Sequence, residues 1–174
     1  ADGFYYECEI ADDGLRIIGE RKEMFLTKIP YASQSFTGLD ETYMISWLRI
    51  ETPHLRTTGA MSMVRKVGLD GGDITLSPNE DLLSHFEEKG SYRNQYSSEH
   101  EALRLVTKGS FKGDIGGTAV SFDKENGVLK FGKEEVKFKG KTEELDIYLD
   151  HEIVEVSDKN YRNLAVFEIK AEND

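Results

Sequence analysis

Apolar and polar residues alternate with a period of two along most of this chain, and that pattern constrains the fold more than any other feature. Phe4, Tyr6, Cys8 and Ile10 alternate with Tyr5, Glu7 and Glu9, as in a half-buried strand. Asp12-Asp13-Gly14 supplies turn chemistry, and 15–18 reads as the return strand. Residues 43–50 are apolar on both faces around Trp47, which predicts a strand covered on both sides. Stretches 60–67 and 73–76 flank Asp70-Gly71-Gly72 as a second hairpin-like unit.

One helix interrupts the strands. Pro78-Asn79 opens it, Glu80 and Asp81 suit the dipole of its first turn, and Leu82, Leu83 and Phe86 form its apolar stripe. Gly90 is its expected stop, and 91–99 reads as polar and irregular. Short strands with regular turns follow, which predicts a β-sandwich. Leu103 and Leu105 alternate with Arg104 and Val106, and 113–117 (Gly-Asp-Ile-Gly-Gly) reads as a bend. Asn126-Gly127 joins 118–123 to 128–131. Leu145, Ile147 and Leu149 alternate with Asp146, Tyr148 and Asp150; 153–156 and 163–169 close the chain. The expected architecture is all-β: residues 1–78 as one unit, 79–99 as a helical and irregular connector, and 100–174 as a C-terminal β-sandwich.

Charge and composition narrow the function. The net charge of −11, with no Lys/Arg cluster, disfavours a phosphate backbone or an anionic membrane as partner and leaves a neutral sugar compatible. One cysteine, Cys8, allows neither an internal disulfide nor a cysteine-based zinc site. No long apolar run predicts a membrane helix. Ala1-Asp2-Gly3-Phe4 lacks the basic start and apolar stretch of a signal peptide, and the opening in mid-strand fits a domain cut from a longer protein.

Chemistry-bearing motifs are sparse. His54, His85, His100 and His151 have no metal-ligand spacing, so no metal is expected, and they read as solvent or packing histidines. No phosphate loop or Gly-x-Ser-x-Gly elbow appears, and no cofactor is implied. Asp146/Asp150 share a strand face with Glu152/Glu155 nearby, and on so acidic a protein they read as the solvated face of a hairpin rather than a glycosidase pair. Trp47, the sole tryptophan, has two readings: burial in a core, or a platform on which the C–H face of a sugar stacks.

Three stretches resemble glycoside hydrolase family 32. Tyr31-Ala32-Ser33-Gln34-Ser35-Phe36 followed by Met44-Ile45-Ser46-Trp47-Leu48 is similar to a late propeller blade of that family. Gly59-Ala60-Met61-Ser62-Met63-Val64-Arg65-Lys66-Val67 resembles its "GxMSLPREL" stretch, with Val64 for the usual proline and Lys66 for the usual glutamate. Leu145-Asp146-Ile147-Tyr148-Leu149-Asp150 and Val154-Glu155-Val156 resemble its "LRIFVDxSxVEVF" hairpin, with Ser157 for the usual phenylalanine. The resemblance implies the terminal strands of a five-bladed propeller followed by a sandwich, and a parent enzyme hydrolysing β-fructosidic bonds in sucrose, a phosphorylated sucrose or fructans. It assigns Trp47 to the fructose pocket.

The family's nucleophile and stabiliser motifs are absent, and Glu7-Cys8 is followed by Glu9 instead of the proline of the acid/base motif. No catalytic residue is therefore assigned to this chain, which is expected to be structural and inactive by itself. The implied partners are a fructose-containing saccharide and the N-terminal propeller blades. The alternative is a non-catalytic carbohydrate-binding sandwich with Tyr148 or Phe138 as exposed anchors. Residues 1–70, with edges and apolar faces to cover, are expected to form a homodimer or to pack on the sandwich.

Overall fold

The structure, a computed structural model, describes residues 3–38, 41–51, 58–89 and 102–170. His54, His100 and the expected helix stop at Gly90 lie outside them, as does 91–99. The N-terminal half is built from β1 (Phe4–Tyr5), β2 (Cys8–Ala11), β3 (Gly14–Ile17), β4 (Lys22–Glu23), β5 (Pro30–Gly38), β6 (Glu41–Leu48), β7 (Ala60–Met61), β8 (Arg65–Asp70) and β9 (Asp73–Pro78). The helix α1 (Glu80–Leu83) leads to β10 (Glu87–Lys89), β11 (Ala102–Lys108), β12 (Phe111–Ile115), β13 (Thr118–Asp123), β14 (Val128–Phe131), β15 (Glu134–Lys137), β16 (Glu144–Asp150), β17 (Ile153–Asp158) and β18 (Leu164–Glu168). Among the described residues the chain is all-β around one turn of helix.

Three sheets stack as layers. The first, ordered β5-β6-β8-β9 with β7 alongside β6, is the blade-like sheet. The middle sheet runs β10-β11-β16-β17-β18, and the outer sheet β12-β13-β14-β15. Side chains one face apart on the middle strands go opposite ways, as the pleat requires. Leu145, Ile147, Leu149, Val154, Val156, Ala165 and Phe167 meet the outer sheet's Ile115, Val120, Phe122, Leu129 and Phe131 in the sandwich core. Leu164 and Val166 point the other way, into a second core with Phe25, Met44, Leu48, Ile50 and Leu76. Burying such a side chain contributes about 1.5–3 kcal/mol, which makes packing on the sandwich a sufficient way to cover the first sheet's inner face. Phe25, Met44, Leu48 and Ile50 show the packing on the sandwich expected for residues 1–70, while Ile10, Leu15, Ile17 and Ile18 are exposed.

Turn chemistry follows the sequence closely. Gly71 and Gly72 take positive φ between β8 and β9, and Gly127 does so between β13 and β14. In the latter turn the Asp123 carboxylate accepts from the Asn126 side chain at 2.7 Å and from the Glu125 and Asn126 amides. Three expectations need correction. The helix starts at its Asn79 cap, whose side chain accepts from the Asp81 amide, but ends at Leu83. Phe86 lies beyond it, set edge-on against Tyr148, and the chain then enters β10 parallel to β11: pairing with an open sheet edge prevails over a short helix that buries none of its own residues. Gly113 and Asp114 belong to β12, so the bend is confined to Gly116-Gly117. Strand β6 buries Met44, Ser46 and Leu48 while Tyr43, Ile45 and Trp47 stay half-buried, because nothing covers its second face as fully as the sandwich covers the first.

Candidate functional site

Trp47 stands on the outer face of β6, opposite Tyr31 of β5 and Met61 of β7. A bulge between Tyr31 and Gln34, with Ala32 at φ 46°, re-aims β5 so that Ser33 turns inward to within 2.7 Å of the Ser46 hydroxyl. Tyr31 stays outside and meets the indole edge-on at 5.8 Å, with the Arg49 guanidinium 4.1 Å above the phenol ring. The indole Nε1–H donates to the Thr58 carbonyl at 3.1 Å. Gly59 presses its backbone onto the same ring: a Cβ there would lie 2.6 Å from Nε1 and collide with the Leu48 carbonyl, and its φ of 93° disfavours any side chain. The ring is fixed by its neighbours, its N–H is satisfied, and the residue as a whole is half-buried.

A cleft of about 390 Å³ opens at the other end of the same β6 face, lined by Glu41, Tyr43, Lys66, Asn79, Asp81 and Tyr161. Lys66 and Glu41 form an ion pair across it. The hydrogen bond from Lys66 lowers the Glu41 carboxyl, and the reciprocal bond raises the Lys66 ammonium. Trp47 is not part of this lining.

Between the first sheet and the middle sheet lies a polar layer that periodicity alone misread. Asp146 and Glu155 are buried, contrary to their reading as a solvated hairpin face. Asp146, Glu155 and Ser157 are turned away from water, whereas Asp150 is exposed, as that reading expected, and Glu152 is half-buried. Asp146 accepts from Arg104 Nε and Nη2 at 2.9 and 3.0 Å, from the Tyr148 hydroxyl at 2.7 Å and from the Tyr161 hydroxyl at 3.0 Å. Glu155 accepts from Arg65 Nε at 3.1 Å and Nη2 at 2.5 Å, and from the Met63 amide at 2.7 Å. Arg65, 1% exposed, also donates to the Leu76 carbonyl and the Ser157 hydroxyl. Burial first, then the Asp146 charge, pushes the Tyr148 and Tyr161 hydroxyls up. With their oxygens engaged in this way, these carboxylates are interface anchors rather than groups open to a substrate.

The proposed sandwich anchors fall with the same observation. Tyr148 is 2% exposed, between the Arg65 and Arg104 guanidiniums, and Phe138 is 3% exposed in the sandwich core against Phe122. Of the four histidines, the described His85 and His151 are both exposed. The signal that could have found the interface was the arginine set in the otherwise largely apolar 60–67 stretch, together with Asp146 and Glu155 placed diagonally on two adjacent strands.

Comparison with solved structures decides the fold. The family 32 β-fructofuranosidase of Bombyx mori superposes with a TM-score of 0.67 at 20% identity, over 99% of this chain and 43% of that one. A family 32 enzyme of Bifidobacterium adolescentis gives 0.68 at 15% identity, over 99% of this chain and 33% of the other. The chain has the fold of a family 32 C-terminal portion. Sucrose-6-phosphate hydrolase of Lactobacillus gasseri shares this family 32 fold with a TM-score of 0.64 at 15% identity, over 87% of this chain and 38% of its own. The chain therefore spans less than half the length of these family 32 structures. No family model and no curated protein matches the sequence.

Proposed function

We propose that this chain is the C-terminal portion of a retaining β-fructosidase acting on sucrose, a phosphorylated sucrose or fructans, and that Trp47 forms part of the fructose-binding wall. The observation that carries the reading is the half-exposed indole, fixed by Thr58, Gly59 and Tyr31 on a sheet of family 32 fold. A sugar ring presents an apolar C–H face that packs on such a surface, while its hydroxyls need polar partners around it. Support also comes from the Bombyx mori enzyme, of which a variant was solved in complex with sucrose.

Retaining hydrolysis needs two carboxyl groups about 5–5.5 Å apart, one as nucleophile and one as acid and base. Those groups would come from propeller blades that precede this chain. The ribbon β2–β3 is where such blades would dock: Cys8, Ile10, Leu15 and Ile17 share one face, with Ile10 91% and Leu15 72% exposed, while Glu9 and Arg16 pair on the other. In this reading the chain buttresses the propeller, contributes Trp47, and has no turnover of its own. Its boundaries are those of the sequence reading: 1–78 as terminal propeller strands, 79–99 as connector, 100–174 as sandwich.

Because Trp47 is the only tryptophan, its emission reports the wall directly. Titration with fructose and sucrose should change that emission saturably, calorimetry should lose its binding heat in Trp47→Ala, and no fructose should be released from sucrose or levan. Binding heat that survives Trp47→Ala would move the site elsewhere and overturn the assignment.

A further inference from the structure

We infer that Glu155, on the sandwich, is a positioning residue for the Trp47 wall, 108 residues away in sequence. The inference rests on the reading of Trp47 as a sugar-facing residue and adds to it what holds the ring in place. Residues 58–65 touch Trp47 or its strand at several points. Thr58 accepts the indole proton, Gly59 packs on the ring, and Met61 pairs with Trp47 across the strand. The Ser62 amide donates to the Ser46 carbonyl at 2.8 Å, and the Ser62 hydroxyl accepts from the Ser46 amide at 2.9 Å.

From the other side the segment is held by the Asn79 amide, which donates to the Val64 carbonyl at 3.3 Å, and by one carboxylate. One Glu155 oxygen accepts the Met63 amide at 2.7 Å, and the other accepts both Arg65 donors. Of residues 58–64 only the two of β7 pair with β6 as a strand, and β8 begins at Arg65, so Ser62, Met63 and Val64 have no strand ladder of their own. A part-buried amide without an acceptor is costly, and so is a buried guanidinium without a counter-charge; both are supplied by Glu155. The sandwich thus reaches the wall through Met63 and Arg65, and the geometry gives it a role beyond covering apolar surface.

Two double variants isolate the link in the full chain. Arg65→Met/Glu155→Met strands no charge, since apolar replacement of both partners of a buried pair is commonly tolerated, but it leaves the Met63 amide without its acceptor. Arg65→Met/Glu155→Gln keeps an acceptor there. The first should red-shift Trp47 emission, raise its acrylamide quenching roughly twofold or more, and weaken fructose binding about tenfold, with hydrogen exchange in the middle sheet unchanged. The second should restore all three readouts. A folded Met/Met variant with wild-type emission and quenching overturns the inference, as does failure of the Gln variant to restore them.

Should the Met/Met variant not fold, the unmodified protein still tests the link. The Met63 amide and the Trp47 indole N–H should exchange with the same opening free energy, and unequal values would reject the coupling. If fructose leaves wild-type emission unchanged while the variants move it, the sugar assignment of Trp47 fails and the positioning stands. If fructose binds wild type and both double variants equally, the positioning fails and the assignment stands.

Discussion

At the scale of single residues, Gly59 and Trp47 form one unit. The glycine is required twice over, by its positive φ and by the indole against which its Cα lies. Gly59→Ala is expected to destabilise the protein by on the order of 2 kcal/mol, since both left-handed backbone and overpacking act against it. A urea titration measures that loss, and the emission of the sole tryptophan should shift with it. Trp47 itself was legible in the sequence as an aromatic with two fates. Its partners were not, because Tyr31 reaches it only through a bulge and Thr58 only through the return of the chain past β6.

Among elements, the interface between the first and middle sheets carries the largest expected single-site effect. Arg65→Ala leaves Glu155 buried without its counter-charge, and should cost about 3–5 kcal/mol. Arg65→Met/Glu155→Met should cost less, about 1–3 kcal/mol, because desolvating two charges consumes most of what their attraction returns and the main loss left is the Met63 amide without its acceptor. Chemical denaturation of the two variants side by side checks the contrast; equal losses would mean that packing volume, not charge, sets the cost. The ribbon β2–β3 gives the opposite expectation. Ile10→Lys should change stability by less than about 0.5 kcal/mol in this chain, since the side chain is already in water.

For the molecule as a whole, the shared middle sheet predicts cooperative unfolding. Its two faces serve two cores, so the first sheet cannot detach without exposing Leu164, Val166 and the Arg65–Glu155 pair. Urea unfolding followed by Trp47 emission and by far-ultraviolet dichroism should therefore coincide; an earlier transition at Trp47 would show that the N-terminal half melts separately. The pH dependence has a definite sign. Tyr148 and Tyr161 are raised by burial, so the folded state holds their protons more tightly than the unfolded state does. Their contribution is complete below the unfolded value of about 10 and is lost as pH rises from there toward the folded values. The urea midpoint should fall as pH rises above about 10, and Tyr161→Phe should flatten that fall. Ultraviolet titration of the phenols should find Tyr148 and Tyr161 ionising later than ordinary tyrosines.

The sequence by itself determined that this protein is all-β, where its hairpins turn, which strand faces form the sandwich core, and which family it resembles. Those properties are local: a period of two, a glycine at positive φ and a short motif are all written in neighbouring residues. Only the tertiary structure decided that Asp146, Glu155 and Ser157 are buried, that Tyr148 and Phe138 are interior, and that the helix yields to a strand after one turn. Alternation tells apart two faces of a strand but not what covers each, and a carboxylate facing water has the same period as one facing an arginine 90 residues away. That distinction belongs to the packing of one sheet on another.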